Sequence, residues 1–378
     1  MESILQTPCH FIQSDKDLDA ALAKWEKTDC LAVDTESNSL YAYAEQVCLI
    51  QFSTKSEDFL VDTLARMDVR RMAPIFSNPK IEKIFHAAEY DVLCLRRDFD
   101  FVFENIFDTM QSARILGERK CGLSNVLQEK LGVYTGKSFQ KANWGKRPLP
   151  QNMRVYARMD THFLIPMRDY FRADLKKKRL LPLAQEDFNR VANAENNKPH
   201  EPLYTQVSGF HLLSPKQLAI LQSLCLFRDA EAKKKNRPLF KVISSRALYA
   251  IALTSPRDSK ALREIGALPD RLRERYRRQL LQAVQNGLRA DPIYLPAKKK
   301  PSQNTIKRWD ALKLWRKKAA AKMGVQSDVV LPRDILEEIV KQNPHNAVAL
   351  EQVMAQVPWR FQHFGGEIMN VLAKRNLG

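Results

Sequence analysis

The chain has 378 residues, 44% hydrophobic and 28% charged, with a formal net charge of +18 and a mean hydropathy of −0.40. That is globular material long enough for two or three domains, and no apolar run approaches the ~20 residues of a membrane helix. Residues 1–11 lack a basic-then-apolar leader. Cys9, Cys30, Cys48, Cys94, Cys121 and Cys225 include no C-x-x-C pair, so the expectation is a cytoplasmic protein with free thiols, no disulfide framework and no cysteine zinc site.

The first half reads as mixed α/β. Leu18, Ala21, Leu22 and Trp25 recur at helical spacing over 15–27. Cys30-Leu31-Ala32-Val33 is a short buried strand that runs into Asp34-Thr35-Glu36. Val47 to Ser53 and Phe59-Leu60-Val61 are two more strands, and three in quick succession predict an antiparallel meander. Ile81 to Phe85 then reads as a strand and Tyr90 to Arg97 as a helix. A longer helix is expected over 154–170, tolerating or kinking at Pro166. A meander followed by alternating helices and strands is the pattern of a ribonuclease-H-like layered α/β fold. Asn193 to Ser208 is polar, aperiodic and carries two prolines, which reads as a linker, and Lys298-Lys299-Lys300-Pro301-Ser302 begins a second one.

The second half repeats itself. A gapless shift of 88 residues aligns Leu226-Phe227-Arg228 with Leu314-Trp315-Arg316, Ala232 with Ala320, Val242 with Val330, and Leu248 with Leu336. The alignment continues through Ile251 with Ile339, Pro256 with Pro344, Leu262 with Leu350 and Tyr276 with Phe364. The paired apolar positions fall at helical spacings, so two copies of one small helical domain are expected. The charge is divided in the same way. Residues 1–200 carry 29 Lys and Arg against 28 Asp and Glu, whereas residues 201–378 carry 32 against 15. An excess of that size in one half points to a polyanion. Its dense clusters are Arg271, Arg273, Arg275, Arg277 and Arg278; Lys233-Lys234-Lys235 with Arg237; Lys298-Lys299-Lys300; and Arg316-Lys317-Lys318. Each alone also suits a solvated helix face. Together they favour a binding surface.

Three acidic elements suggest chemistry. Asp34 and Glu36 follow a buried strand, and their i, i+2 spacing puts both carboxylates on one face, where like charges repel unless cations lie between them. Asp91, in His86-Ala87-Ala88-Glu89-Tyr90-Asp91, opens a helix, where an acid also suits the helix dipole. Tyr156 and Asp160 lie one turn apart on one helix face. Phosphodiester hydrolysis by two divalent ions needs several hard oxygen ligands gathered in one place, and an aspartate ligand beside a phenol that orients water would serve it.

Asp34 with Glu36, then Asp91, then Tyr156 with Asp160, is the ordered set of the DEDD exonuclease superfamily in its tyrosine-bearing subclass. Over most of residues 1–190 the chain resembles the ribonuclease D family. Supporting stretches are Val33-Asp34-Thr35-Glu36, Cys48-Leu49-Ile50-Gln51-Phe52, Phe107-Asp108-Thr109 and Trp144-Gly145-Lys146-Arg147-Pro148-Leu149. The run Tyr156 to Leu164 is also similar to the catalytic exonuclease subunit of the eukaryotic nuclear exosome. Each repeat resembles the helicase-and-RNase-D C-terminal (HRDC) domain. The resemblance implies an α/β ribonuclease-H-like exonuclease domain over 1–195, followed by two small all-α helical bundles over 210–290 and 304–378. It implies a 3′→5′ exoribonuclease in which Asp34, Glu36, Asp91 and Asp160 hold two Mg²⁺ or Mn²⁺ ions and Tyr156 positions the attacking water. Thr35, His86 and the five arginines from Arg271 to Arg278 would contact substrate. The implied partner is RNA with a free 3′ end, transfer-RNA precursors among it, acted on by a monomer away from membranes. A DNA 3′→5′ exonuclease and an inactive RNA-binding scaffold remain open, and a binder of membrane surfaces or acidic proteins rests on charge alone.

Overall fold

The computed structural model describes residues 6–136, 138–195, 201–296 and 300–373. Their contacts divide the chain into two compact units. One gathers the described parts of Met1–Ser37, Val47–Glu195 and Lys300–Gly378; the other gathers Asn38–Gln46 and Asn196–Lys299.

The first unit is built on a six-stranded sheet. Its strands are β1 (Cys9–Ile12), β2 (Cys30–Ser37), β3 (Val47–Ser53), β4 (Asp58–Val61), β5 (Glu82–Phe85) and β6 (Ile106–Asp108), in the order β1-β4-β3-β2-β5-β6. The meander β2-β3-β4 is antiparallel as the sequence suggests, while β1 joins β4, and β5 joins β2 and β6, in parallel. Both faces are covered, so the central strands read as continuous apolar runs. Leu31 and Val33 of β2 lie in one core with Trp25 of α1 (Asp15–Trp25), Phe76 of α2 (Ala73–Ser77), and Val92 and Leu95 of α3 (Glu89–Phe99). The opposite face lies under α4 (Thr109–Ile115), α5 (Leu123–Leu131), α6 (Gln151–His162), α7 (Leu164–Lys177) and α8 (Leu181–Ala192), with Ala32, Ile84, Phe107 and Phe171 among its core residues.

Two expectations need correction. The single helix expected over 154–170 is two, broken at Phe163, whose φ of −98° and ψ of 2° leave the helical region. Pro166 is not the cause. It is the third residue of α7, where a backbone amide has no intrahelical acceptor and its loss costs nothing. The stretch 193–208 is only partly a linker: Leu203–Gln206 forms a 3₁₀ turn that buries Tyr204, and Val207 beyond it is fully buried in the first helical core. Residues 196–200 and the lysines Lys298 and Lys299 lie outside the described residues.

The 88-residue repeat holds to the level of caps and single hydrogen bonds. The first copy has α9 (Pro215–Lys234), α10 (Leu239–Val242), α11 (Ser245–Thr254), α12 (Ser259–Arg263) and α13 (Asp270–Arg289). The second has α14 (Gln303–Met323), α15 (Ser327–Val330), α16 (Arg333–Gln342), α17 (Ala347–Val353) and α18 (Pro358–Ala373). Ser214 and Ser302 cap their long helices by accepting from the amide three residues on. Arg228 donates to Ile243 O at 3.3 Å, and its counterpart Arg316 to Leu331 O at 3.0 Å. Ser255 and Asn343 end equivalent helices at φ of 50° and 49°, and Asp258 and Asn346 cap the next ones. In the first copy Gly287 lets α13 approach α9, since a Cβ there would stand 2.3 Å from Ile220 Cα.

Within the first unit the second copy is fastened to α8. Arg360, with no exposed surface, pairs with Glu186 and Asp187 and donates to Val329 O at 2.8 Å, while the Trp359 amide donates to Glu186 Oε2 at 2.7 Å. Arg190 pairs with Asp334 at 2.8 Å, and Arg114 pairs with Asp328. Removing one partner of a buried ion pair strands the other, at about 3–5 kcal/mol. Arg360→Ala should therefore lower the denaturant stability of this unit by roughly that amount. A loss under about 1 kcal/mol, the size of an exposed pair, would show that Arg360 is not the fastening.

Candidate active site

The acids sit where the fold crowds them. β2 runs on to Ser37, so Asp34 and Glu36 lie inside the strand rather than beyond its end, as the sequence suggested. Both point to the α6 side of the sheet, and the register with β3 slips at Glu36–Ser37, a bulge at the edge of the cluster. Asp160 comes from α6. Ligand oxygens of Asp34, Glu36 and Asp160 all lie within 4.8 Å of one another. Asp91 stands on the first turn of α3, only 6% exposed, and accepts a 2.5 Å hydrogen bond from Thr35 Oγ1. It lies outside that tight trio, yet its charge acts on all three members.

The electrostatic consequence is large. Burial pushes the Asp34 carboxyl well above the usual carboxylate range, and the charges of Asp91, Asp160 and Glu36 add to the shift. Glu36 is pushed up to about 9 by burial and then by Asp160 and Asp91. Asp160 reaches about 7 through burial and Asp91. Asp91 reaches about 7 through burial, against the opposing Thr35 hydrogen bond. Carboxylates this close cannot all ionise in a low-dielectric site by themselves. Hard oxygen donors in this number and spacing suit divalent cations, which reverse the penalty.

Tyr156 faces the same charges. Its ring lies against Phe139, edge-on at 5.6 Å, and Trp144 at 6.2 Å. Burial, with Asp160, Glu36 and Asp34 nearby, raises its phenol above the ordinary value, so it stays protonated and acts as a neutral donor and acceptor. Tyr156 and Asp160 line a small cavity of about 120 Å³ with Gly122, Ser124, Asn125 and Gln140.

Several residues that local sequence patterns do not single out hold these groups in place. Asp58, 1% exposed, accepts from Arg158 Nε at 3.0 Å and Ser53 Oγ at 2.7 Å and meets His162 Nδ1 at 3.1 Å; Ser53 Oγ also meets Thr161 Oγ1 at 2.7 Å. This cluster pins α6, and with it Tyr156 and Asp160, to β3 and β4. Arg147 forks onto Asp62 at 2.6 and 2.8 Å and donates to Cys48 O at 2.8 Å, fixing the segment that carries Trp144. Asp108 takes the amides of Ala87 and Ala88 at 3.1 and 2.8 Å while capping α4, and so holds the turn at Ala87 (φ 68°) ahead of Asp91.

His86 Nδ1 lies 2.9 Å from Thr109 Oγ1, which itself donates to Phe85 O at 2.9 Å. Nδ1 is therefore the donor, and burial lowers the ring's pKa, which keeps Nε2 neutral; that buried atom has no partner among the described residues. Gln51, opposite Asp34 in the β2–β3 register, is fully buried, and neither amide atom has a partner among the described residues. Such groups cost about 1–3 kcal/mol each when left unpaired, and they fit a site that takes up polar ligands.

Of the five arginines singled out in the sequence, the structure leaves Arg271, Arg275 and Arg278 exposed on α13. Arg273 pairs with Asp270 and donates to Leu268 O, and Arg277 pairs with Glu274. These five lie in the second unit, apart in the chain from the acids.

Two families match parts of the chain. A 3′-5′ exonuclease family matches residues 9–176, and the HRDC domain family matches residues 217–284 and 306–372. The exonuclease match is followed by two HRDC matches, and exonuclease domains of this kind use divalent metal ions. The chain is 33% identical to the RRP6-like protein 2 of Arabidopsis thaliana over 69% of its own length and 32% of that protein. It is 27% identical to the ribonuclease D of Nitrobacter hamburgensis over 94% of this chain and 92% of that one. The crystal structure of Escherichia coli RNase D shares the fold, with a TM-score of 0.70 at 22% identity over 97% and 98% of the two chains. The chain spans between 30% and 42% of the length of the first three curated relatives it matches. No described helix is long and apolar enough to cross a membrane.

The crowded acids tie stability to pH. A carboxyl whose folded pKa lies above its unfolded value of about 4 binds protons on folding. Its stabilisation is complete below that value and is lost as pH rises through the folded pKa, here about 7 for Asp91 and Asp160 and about 9 for Glu36. In chelator the unfolding temperature should fall from about pH 5 to about pH 9. Mg²⁺ should restore it most at the alkaline end, and Asp160→Asn should flatten the decline. A flat profile for the metal-free wild type would remove the repulsion from the account.

Proposed function

We propose that this protein is a 3′→5′ exoribonuclease that releases nucleoside 5′-monophosphates one at a time from a free RNA 3′ end. The observation that carries the reading is the convergence of Asp34, Glu36 and Asp160 within 4.8 Å, with Asp91 and the protonated Tyr156 beside them. The four acids would hold two divalent ions, Mg²⁺ or Mn²⁺, which would supply Lewis acidity toward the attacking water and the leaving oxygen. The protein's part is to fix their ligands, exclude bulk water and orient the attacking water through Tyr156 Oη. Attack breaks the bond between phosphorus and the 3′ oxygen, leaving a new 3′ hydroxyl on the shortened chain. Thr35 holds Asp91, and His86 Nε2 offers an acceptor to the terminal nucleotide.

RNA rather than DNA is favoured by the ribonuclease D likeness over nearly the whole chain and by the cationic second half. The nuclease spans residues 1–195 and the helical modules 210–290 and 304–378. Small structured RNAs such as transfer-RNA precursors, trimmed by a cytoplasmic monomer, are the substrates this reading favours.

Digestion of single-stranded RNA and DNA of one sequence, with and without Mg²⁺, tests it. Stepwise shortening of the RNA to 5′-monophosphates is expected, abolished by chelator and by Asp34→Asn, with RNA binding by that variant intact or tighter. Tyr156→Phe should lower kcat by about 10²-fold or more at little change in RNA affinity. Preference for DNA would move the substrate class, and wild-type protein that leaves every 3′ end uncut would mark a binding scaffold on an idle nuclease fold.

A further inference from the structure

The two helical copies share their core and differ on one face. The shift that pairs their caps also pairs Arg271, Arg273, Arg275, Arg277 and Arg278 with Trp359, Phe361, His363, Gly365 and Gly366. Not one of the five arginines has a basic counterpart apart from the histidine. In the opposite sense, Leu272 of the first copy corresponds to Arg360, the buried residue that fastens the second copy to α8. The start of α18 is thus an anchoring surface. The same helix in the first copy presents a cationic one.

On α13 the exposed residues Arg271, Arg275, Arg278, Gln282 and Asn286 follow one another at steps of three and four, a single helix face. Among the described residues, Arg271, Arg275 and Arg278 form no ion pair, whereas Arg273 and Arg277 do. Between this stripe and α9 lies an open cleft of about 720 Å³, lined by Ser223, Leu226, Phe227, Arg278, Gln282 and Asn286 among others. Leu226 is 54% exposed inside it, and Phe227 lies edge-on to Tyr276 at 5.6 Å. The cleft therefore joins an apolar floor, amide and hydroxyl groups that hydrogen-bond, and the guanidinium of Arg278, and Arg271 and Arg275 continue the same exposed helix face beyond it. Unstacked nucleotides need these three chemistries together.

The second copy keeps the scaffold of this cleft and loses its chemistry. Leu314 is 55% exposed, and Trp315 lies edge-on to Phe364 at 5.9 Å, as the equivalent pair does in the first copy. But Gly366 stands in the place of Arg278, and Glu367 in that of Gln279, where its carboxylate accepts from Trp315 Nε1 at 2.7 Å. An anion in the place of Gln279, which lines the cleft of the first copy, repels a phosphate chain.

We propose that the α9–α13 cleft of the first copy is a subsite for single-stranded RNA and that its counterpart in the second copy is not. Arg271, Arg275 and Arg278 take the phosphates, Leu226 and Phe227 carry an unstacked base, and Ser223, Gln282 and Asn286 meet base edges. The proposal rests on the exoribonuclease reading for its choice of polyanion. An anionic lipid surface would use the arginines but not a concave, amide-lined cleft.

The test is binding of a fluorescent single-stranded RNA to the full chain in chelator, where no cleavage occurs, over a range of salt. The triple variant R271Q/R275Q/R278Q should bind at least about tenfold more weakly. Its slope of log affinity against log salt should fall by about 2, since each lost contact with a single-stranded phosphate removes about 0.7. Leu226→Ala should weaken binding with the slope unchanged, which separates stacking from charge. Lys317→Gln with Lys318→Gln on the second copy should move affinity by less than about twofold. Wild-type affinity in the triple variant, or an equal loss from the second-copy lysines, overturns the proposal. So does charge-dependent binding to phosphatidylserine vesicles in place of RNA. Cleavage of RNA 3′ ends by the wild type is read separately in Mg²⁺, so failure of the catalytic reading and failure of this one give different results.

Discussion

Repulsion among four crowded carboxylates, Asp91 buried and the other three half-buried, is the constraint around which the first half of the chain is arranged. Left to themselves the acids would take up protons, as the raised pKa values of Asp34, Glu36, Asp91 and Asp160 show, or would move apart. The fold prevents separation by fixing each backbone independently. Asp34 and Glu36 sit in the central strand of the sheet, Asp91 follows a turn tied to Asp108, and Asp160 rides on a helix held by Asp58 and Arg158. The charge cluster is therefore presented to a cation already assembled, which keeps the cost of ordering out of the binding step.

The supports are themselves ionic, and buried. Asp58 and Asp62 would be as costly as the active-site acids were they not matched by Arg158 and Arg147. The distinction between the two groups of acids is the presence of an arginine. Asp58 and Asp62 each meet one and are structural, as is Asp108, which is met by the Ala87 and Ala88 amides; among the described residues no arginine meets the four active-site acids, and their charge is left for a ligand. Among the described residues neither atom of the Gln51 amide finds a partner beside Asp34, so the unmet polarity extends one residue beyond the acids themselves.

How much of this the sequence disclosed follows from the range of each interaction. Period-two spacing brought Asp34 and Glu36 to one face, and i, i+4 spacing brought Tyr156 above Asp160, because both are fixed by local backbone geometry. Trp25, Val33 and Phe52 were legible as core for the same reason. The supports were not, since Asp58 meets Arg158 across 100 residues and Asp62 meets Arg147 across 85, and no local pattern announces either pair. The break at Phe163 was not legible, and Pro166, read as tolerated or a kink, is tolerated because proline is harmless in a first helical turn. Tyr204 and Val207 were read as linker because an isolated buried pair in a polar stretch carries no periodicity.

The duplicated domain shows the same separation of scales. Its core and caps are repeated at 88 residues with little drift, because helix packing tolerates few alternatives at buried positions. Its surface was free to change, and the two copies changed in opposite directions: Leu272 against Arg360 and Arg278 against Gly366 exchange anchoring for cationic character between equivalent helices. A net charge summed over the second half hides this, because lysines scattered on both copies contribute equally to the total. The electrostatic field that draws in a polyanion depends on where unpaired cations line up over a concave surface, and the repeat comparison finds that alignment in only one of the two copies.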